Sequence, residues 1–233
     1  MIDLHEYECL DSTNRLLMDM AKDGSPCGTA VWAHKQTGGR GRLGRSFSSP
    51  EGGIYVSILV PMKESIKITA MAGVAVMRTV SQVCDKKCGI KWVNDIIYEG
   101  RKVCGILAQA AGDKAVVGIG INYRTDISAL PEDVRSLASA LYGPEEDAPD
   151  ERLFVRTLLE NVYGLICDGD EKWLEEYKAS STILGKEVLI MQAGKVTGEG
   201  VVTGIDASCA LHVTGPDGRE TVLSTGEVSV RSK

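Results

Sequence analysis

The chain has 233 residues, 43% of them hydrophobic and 25% charged, which suits a globular protein large enough to bury a substantial core. Its 26 Lys and Arg stand against 32 Asp and Glu, a formal charge of −6, which argues against a nucleic-acid polymer as main partner. The longest apolar run, 66–83, is broken by Lys67, Thr69, Arg78, Thr79, Ser81 and Gln82, and the acidic N-terminus MIDLHEYE lacks a signal-peptide pattern, so the expected location is the cytoplasm, away from membranes.

Residues 2–10 read as extended. Asp11-Ser12-Thr13-Asn14 then supplies helix-capping side chains ahead of Leu16, Leu17, Met20 and Ala21, an apolar stripe at helical spacing that Gly24 ends. A strand follows over Thr29 to His34, and another over Ile54 to Val60, stopped by Pro61. The stretch from Ile66 to Cys84 is apolar on nearly every side and fits a helix buried against a sheet. Gly89 to Trp92 returns to strand, Ile96 to Tyr98 pairs with Lys102 to Gln109 across a Glu99-Gly100 turn, and Ala115 to Asn122 is one more strand. A short helical piece is expected over Ser136 to Tyr142, a longer helix capped by Asp150, and a second over Lys172 to Ala179. From Leu184 the pattern changes to short β runs divided by Ala193-Gly194 and Pro216-Asp217-Gly218, the signature of a small SH3-like barrel. The expected fold class is α+β: a mixed sheet flanked by helices over 1–183, then a C-terminal SH3-like domain over 184–233.

Between the second and third expected strands lies QTGGRGRLGRSFSSPEGG, residues 36–53. Gly38, Gly39, Gly41, Gly44 and Gly52 give this segment backbone freedom, and Arg40, Arg42 and Arg45 give it three fixed positive charges, a composition suited to closing over an anion. The segment contains G-x-G-x-x-G and narrowly misses the P-loop pattern, yet both motifs need a helix directly after the loop, and here a strand follows. What survives is backbone N–H donors and guanidinium forks. Lys91-Trp92-Val93-Asn94-Asp95 adds an amine, an amide and a carboxylate at a strand end, Lys102 and Gly105 follow, and Gly118-Ile119-Gly120-Ile121-Asn122 ends a strand in an amide. No nucleophile elbow or catalytic triad is evident, so the expected chemistry rests on positioning and charge neutralisation. Seven cysteines without a C-x-x-C pair read as reduced packing thiols, and neither a disulfide framework nor a protein-held metal is indicated.

Taken together, these motifs resemble the biotin-protein ligases in order and spacing over 11–122, and the segment Gly226 to Arg231 looks like that family's last domain. The resemblance implies that biotin and ATP, with Mg2+, form biotinyl-5′-AMP, from which a lysine of a biotin carboxyl carrier domain takes the biotinyl group. It implies a biotin site of Ser12, Thr13, Asn14, Gln36, Gly39, Arg40, Gly41, Arg42, Lys102 and Gly105. The nucleotide side would hold Arg42, Arg45, Phe47, Lys91, Asn94 and Asn122, and Lys102 and Arg42 would act on the reacting carboxylate and phosphate. Two positions depart from the family pattern: Val93 stands where Pro is usual, and Phe47 where some members carry Trp. The Ser-Thr-Asn motif begins at residue 12, so the expectation is a form without the DNA-binding helix-turn-helix of some bacterial members. The oligomeric state, a homodimer included, stays open. The alternatives are a lipoate-protein ligase or octanoyltransferase, and a non-catalytic biotin or nucleotide sensor.

Overall fold

The computed structural model describes residues 2–168, 170, 172–192, 194–224 and 227–230, the last four by their backbone. β1 (Asp3–Tyr7) leads through α1 (Thr13–Lys22) into β2 (Thr29–Ala33), and the two strands pair in parallel, as a helical crossover allows. β3 (Ile54–Pro61) runs antiparallel to β2. α2 (Ser65–Cys84) crosses to the far edge, where β4 (Gly89–Lys91), β5 (Asp95–Tyr98), β6 (Arg101–Ala111) and β7 (Lys114–Ile121) form an antiparallel meander that returns to β3. The resulting order is β1-β2-β3-β7-β6-β5-β4. Glu99 and Gly100, with φ of 49° and 79°, make the two-residue turn between β5 and β6, and positive φ at both positions matches the strands' twist. After β7 come the short α3 (Glu132–Arg135), then α4 (Glu151–Cys167) and α5 (Trp173–Ala179).

Strand alternation decides what each face of this sheet buries. On β3, Ile54, Val56, Ile58 and Val60 face one way, as do Ala115, Val117, Ile119 and Ile121 on β7, and all are buried in the main core with α2 and α4. α2 is apolar nearly all round because α4 and α5 pack against it on the side away from the sheet. The Asp150 carboxylate accepts from the Leu153 N–H at 2.8 Å, as the expected cap of α4. The opposite face is covered only in part. There Val31, Leu59 and Val116 pack under Leu17 of α1, and further along the same face come Ser57, Gly118 and Gly120.

Residues 136–142 are not the expected helix. Hydrogen bonding from neighbouring strands claims the segment instead: the Lys102 N–H donates to Leu137, Ser139 donates to Lys102, and Leu141 and Tyr142 donate to Asn122 and Tyr123. Helix in this region is confined to Glu132–Arg135 and a single 3-10 turn at Ile127–Ala129. The C-terminal strands β8 (Glu187–Gln192), β9 (Lys195–Ile205), β10 (Leu211–Thr214), β11 (Glu220–Leu223) and β12 (Glu227–Val230) form a second, antiparallel sheet of SH3-like character in the order β11-β10-β9-β8-β12. Ala193, Gly226 and Arg231 lie outside the described residues. The Trp92 indole joins the two sheets by donating to the Cys209 carbonyl at 2.8 Å. Among the described residues no helix is long and apolar enough to cross a membrane.

Candidate functional site

Where α1 stops covering the sheet, a cleft of about 1590 Å³ opens. Its floor is glycine because nothing larger fits: a Cβ on Gly120 would stand 2.5 Å from Cε1 of Phe47, and one on Gly105 would stand 3.0 Å from Cε2 of the same ring. The Phe47 ring therefore covers the floor at both glycines, on β6 and β7, and is edge-on to Tyr55 at 6.4 Å between centroids. At the α1 end the wall is a hydrogen-bonded set. Gln36 accepts from the Thr13 N–H (2.8 Å) and hydroxyl (3.1 Å), the Ser57 hydroxyl lies 2.8 Å from that of Thr13 and 2.7 Å from Oδ1 of Asn14, and the Asn14 amide donates to Gln109 at 2.8 Å. Ser12 sits at the helix N-cap position with extended dihedrals, but its hydroxyl makes no cap hydrogen bond. It is 4% exposed and lines the cleft.

The Gly/Arg segment forms a hairpin over this floor. Gln36 pairs with Ser49 and Arg40 with Ser46, Phe47 N–H donates to Gly39, and Gly41 N–H donates to Arg45. Leu43 and Gly44 turn the tip with φ of 56° and 75°. The hairpin carries Arg40 and Arg45 exposed and Arg42 half-buried.

The facing wall is the turn from β4 to β5. Arg42 Nη1 donates to Asn94 Oδ1 at 2.9 Å, and Lys102 Nζ sits 2.6 Å from Asp95 Oδ1 and 6.0 Å from the Phe47 ring centroid. One cation from the hairpin and one from β6 are thus held on the adjacent pair Asn94-Asp95. The turn itself, in which the Trp92–Val93 peptide is cis, is anchored from behind by the Trp92–Cys209 bond and by the Tyr177 hydroxyl donating to Val93 at 3.3 Å. Cys104, the thiol of the cleft, is fully buried, and burial pushes it up so that it stays protonated. Tyr55 is pushed up by the same cause. The site offers cations, amides and backbone donors but no activated nucleophile.

Two family models match the chain: the biotin/lipoate A/B protein ligase family over residues 6–126, and the biotin protein ligase C-terminal domain over residues 183–231. The chain belongs to the biotin/lipoate A/B protein ligase family. It is 30% identical to a biotin–[acetyl-CoA-carboxylase] ligase of Mycobacterium tuberculosis, covering 93% of this chain and 85% of that protein. It is 34% identical to the bifunctional ligase/repressor BirA of Bacillus subtilis over 58% of this chain, and spans 45% of that relative's length. Among solved structures, a biotin protein ligase from Aquifex aeolicus in complex with biotin and ATP matches it with a TM-score of 0.85 at 27% identity, over 100% of both chains.

Of the residues singled out by this family's motifs, Ser12, Thr13, Asn14, Gln36, Arg40, Gly41, Arg42, Arg45, Phe47, Lys91, Asn94, Lys102, Gly105 and Asn122 all line the one cleft. Gly39 does not. It is buried at the hairpin neck, where a Cβ would stand 2.5 Å from the Ser49 hydroxyl. Asn14 and Asn122 are tied internally, Asn122 by donating to Ser139 at 2.9 Å, so their amides brace walls. Sequence reasoning missed Ser57, Gln109, Ser49 and the role of Asp95 as the partner of Lys102. Ser57 carried a usable signal, as the one polar residue in the run IYVSILV.

Proposed function

We propose that the chain is an ATP-dependent biotin-protein ligase. It joins biotin to AMP and passes the biotinyl group to a lysine of a biotin carboxyl carrier domain, with 1–183 as the catalytic unit, 184–233 as the C-terminal unit, and the cytoplasm as its location. The observation that carries this reading is the pair of cations, Arg42 and Lys102, held on Asn94 and Asp95 beside a glycine floor. Biotin's fused ring would enter toward Ser12, Thr13 and Gln36, with Arg40 and Gly41 closing from the hairpin. Its carboxylate would then reach Lys102 and Arg42, near Gly105.

The first step forms a bond from a biotin carboxylate oxygen to the α-phosphorus of ATP and breaks the bond to pyrophosphate. No protein nucleophile is required, and the work is to align two anions and to offset the charge that builds on phosphorus. Lys102 suits this because its amine, held 2.6 Å from Asp95, is a fixed cation in the cleft that can face the incoming phosphate. Arg45, Phe47, Lys91, Asn94 and Asn122 are the nucleotide-side candidates. Among the described residues no group of three or more His, Cys, Asp or Glu could hold a metal, and magnesium in this reading arrives on the ATP phosphates. In the second step a carrier lysine amine attacks the acyl carbon, and AMP leaves.

ATP–pyrophosphate exchange tests the reading. Exchange that depends on biotin is expected, whereas exchange with lipoate and not with biotin would replace it by lipoate ligation.

A further inference from the structure

Resting on that functional reading, we propose that Ser49 is a positioning residue that couples the biotin end of the cleft to the hairpin that closes it. Ser49 stands behind the cleft lining and does not face the cleft itself, is 5% exposed, and sits at the neck of the hairpin. Its hydroxyl lies between two groups that the site needs in fixed positions. Nε2 of Gln36 is 2.9 Å away on one side, and the carbonyl of Phe47 is 2.9 Å away on the other.

The direction of each bond follows from the chemistry. The Thr13 N–H can only donate, so the Gln36 atom facing it at 2.8 Å is the carbonyl oxygen, and the Gln36 NH2 must point to Ser49. The Ser49 oxygen therefore accepts, and its one proton goes to the Phe47 carbonyl. One polarised series runs from the start of α1, through Gln36 and Ser49, to the backbone that aims the Phe47 ring at Gly105 and Gly120. A glycine at position 39 is what lets Ser49 approach this closely, since a Cβ there would stand 2.5 Å from its hydroxyl. A ligand that engages Thr13 and Gln36 thereby also fixes the hairpin neck.

The consequence is retention. A hairpin whose neck is anchored to the occupied biotin end keeps the acyl-adenylate covered until an amine arrives. Replacing Ser49 by Ala leaves the part-buried Gln36 NH2 and Phe47 carbonyl without this partner and touches neither cation. Escape of biotinyl-AMP into solution, measured with biotin and Mg-ATP but no carrier, is expected to rise about tenfold in Ser49→Ala, together with a higher KM for biotin, while kcat for adenylate formation moves less than about threefold. Phe47→Ala is expected to raise escape comparably, and Ser49→Ala/Phe47→Ala no further than the larger single change, because both act through one ring. Ser49→Cys keeps the size of the side chain with a poor hydrogen-bonding group and repeats the test should the alanine variant fail to fold. Escape at the wild-type rate, or single effects that multiply in the double variant, would overturn the coupling. A wild-type protein that forms no biotin-dependent adenylate would overturn the functional reading itself, and this proposal with it.

Discussion

The two faces of the main sheet are built from the same strands, often from adjacent residues, and do opposite things. Ile58 and Ser57 are neighbours on β3, both buried, yet Ile58 packs into the main core on the α4 side while Ser57 braces Thr13 and Asn14. On β7, Ile119 fills the core and Gly120 leaves room for a ring. One face is filled wherever a side chain can go. The other is left unfilled past α1, and its polar groups are spent on one another or exposed to the cleft. Stability and chemistry are thereby separated by the strand period of two, so the two kinds of substitution should have separable effects.

The largest expected effect belongs to the cleft. Lys102→Ala should lower kcat for adenylate formation by about 10²–10³-fold, with a much smaller change in biotin affinity, since its charge matters most as phosphorus gains negative charge. Steady-state kinetics beside a biotin-binding titration reads this, and equal losses in both would remove Lys102 from the chemistry. On the filled face, Ile58→Ala should lose about 2–5 kcal/mol of stability in denaturant unfolding while activity per folded molecule stays the same. A loss of specific activity matching the loss of stability would mean that the faces are not separable. Next in size, Arg42→Gly should free the hairpin from Asn94, so that released adenylate labels bystander lysines as well as the carrier; labelling that stays on the carrier would show that the Arg42–Asn94 bond is not the latch.

His212 on the C-terminal sheet sharpens the contrast as a group that belongs to neither face of the main sheet. His212 is raised by accepting groups on Asp206 and Glu220, and Asp206 is lowered to about 2 chiefly by the Ser208 hydroxyl. A raised histidine contributes stability that is complete below its unfolded value and lost as pH climbs through the folded one, whereas a lowered aspartate contributes above its unfolded value and loses that as pH falls toward 2. His212→Gln should therefore lower Tm by about 1–2 °C at pH 5.5, where the partly exposed pair is screened but charged, and by less at pH 9. Exchange activity below the melting range should not change.

Much of this is legible in the sequence. The strands, the long buried helix and the Asp150 cap follow from local patterning, because each is decided by residues within a few positions. The Glu99-Gly100 turn is of the same kind. Residues 136–142 read locally as helix, and the structure departs from that because their backbone partners, Lys102, Asn122 and Tyr123, are distant in sequence. The two faces of β3 could not be told apart for a related reason: IYVSILV is buried on both sides, so alternation left only Ser57 as a mark. Lys102 was visible as a charge beside a turn, but its pairing with Asp95 depends on the β5–β6 register. Ser49 and Gln109 gave no sign, since their value lies wholly in what they hold.

Mixing the protein with biotin, Mg-ATP and a biotin carboxyl carrier domain, then weighing the carrier by mass spectrometry, tests the central claim most directly. A carrier that gains one biotinyl group, on its lysine and only when ATP is present, is the predicted result. A protein that binds biotin and ATP yet leaves the carrier's mass unchanged would contradict the account and make the cleft a sensor.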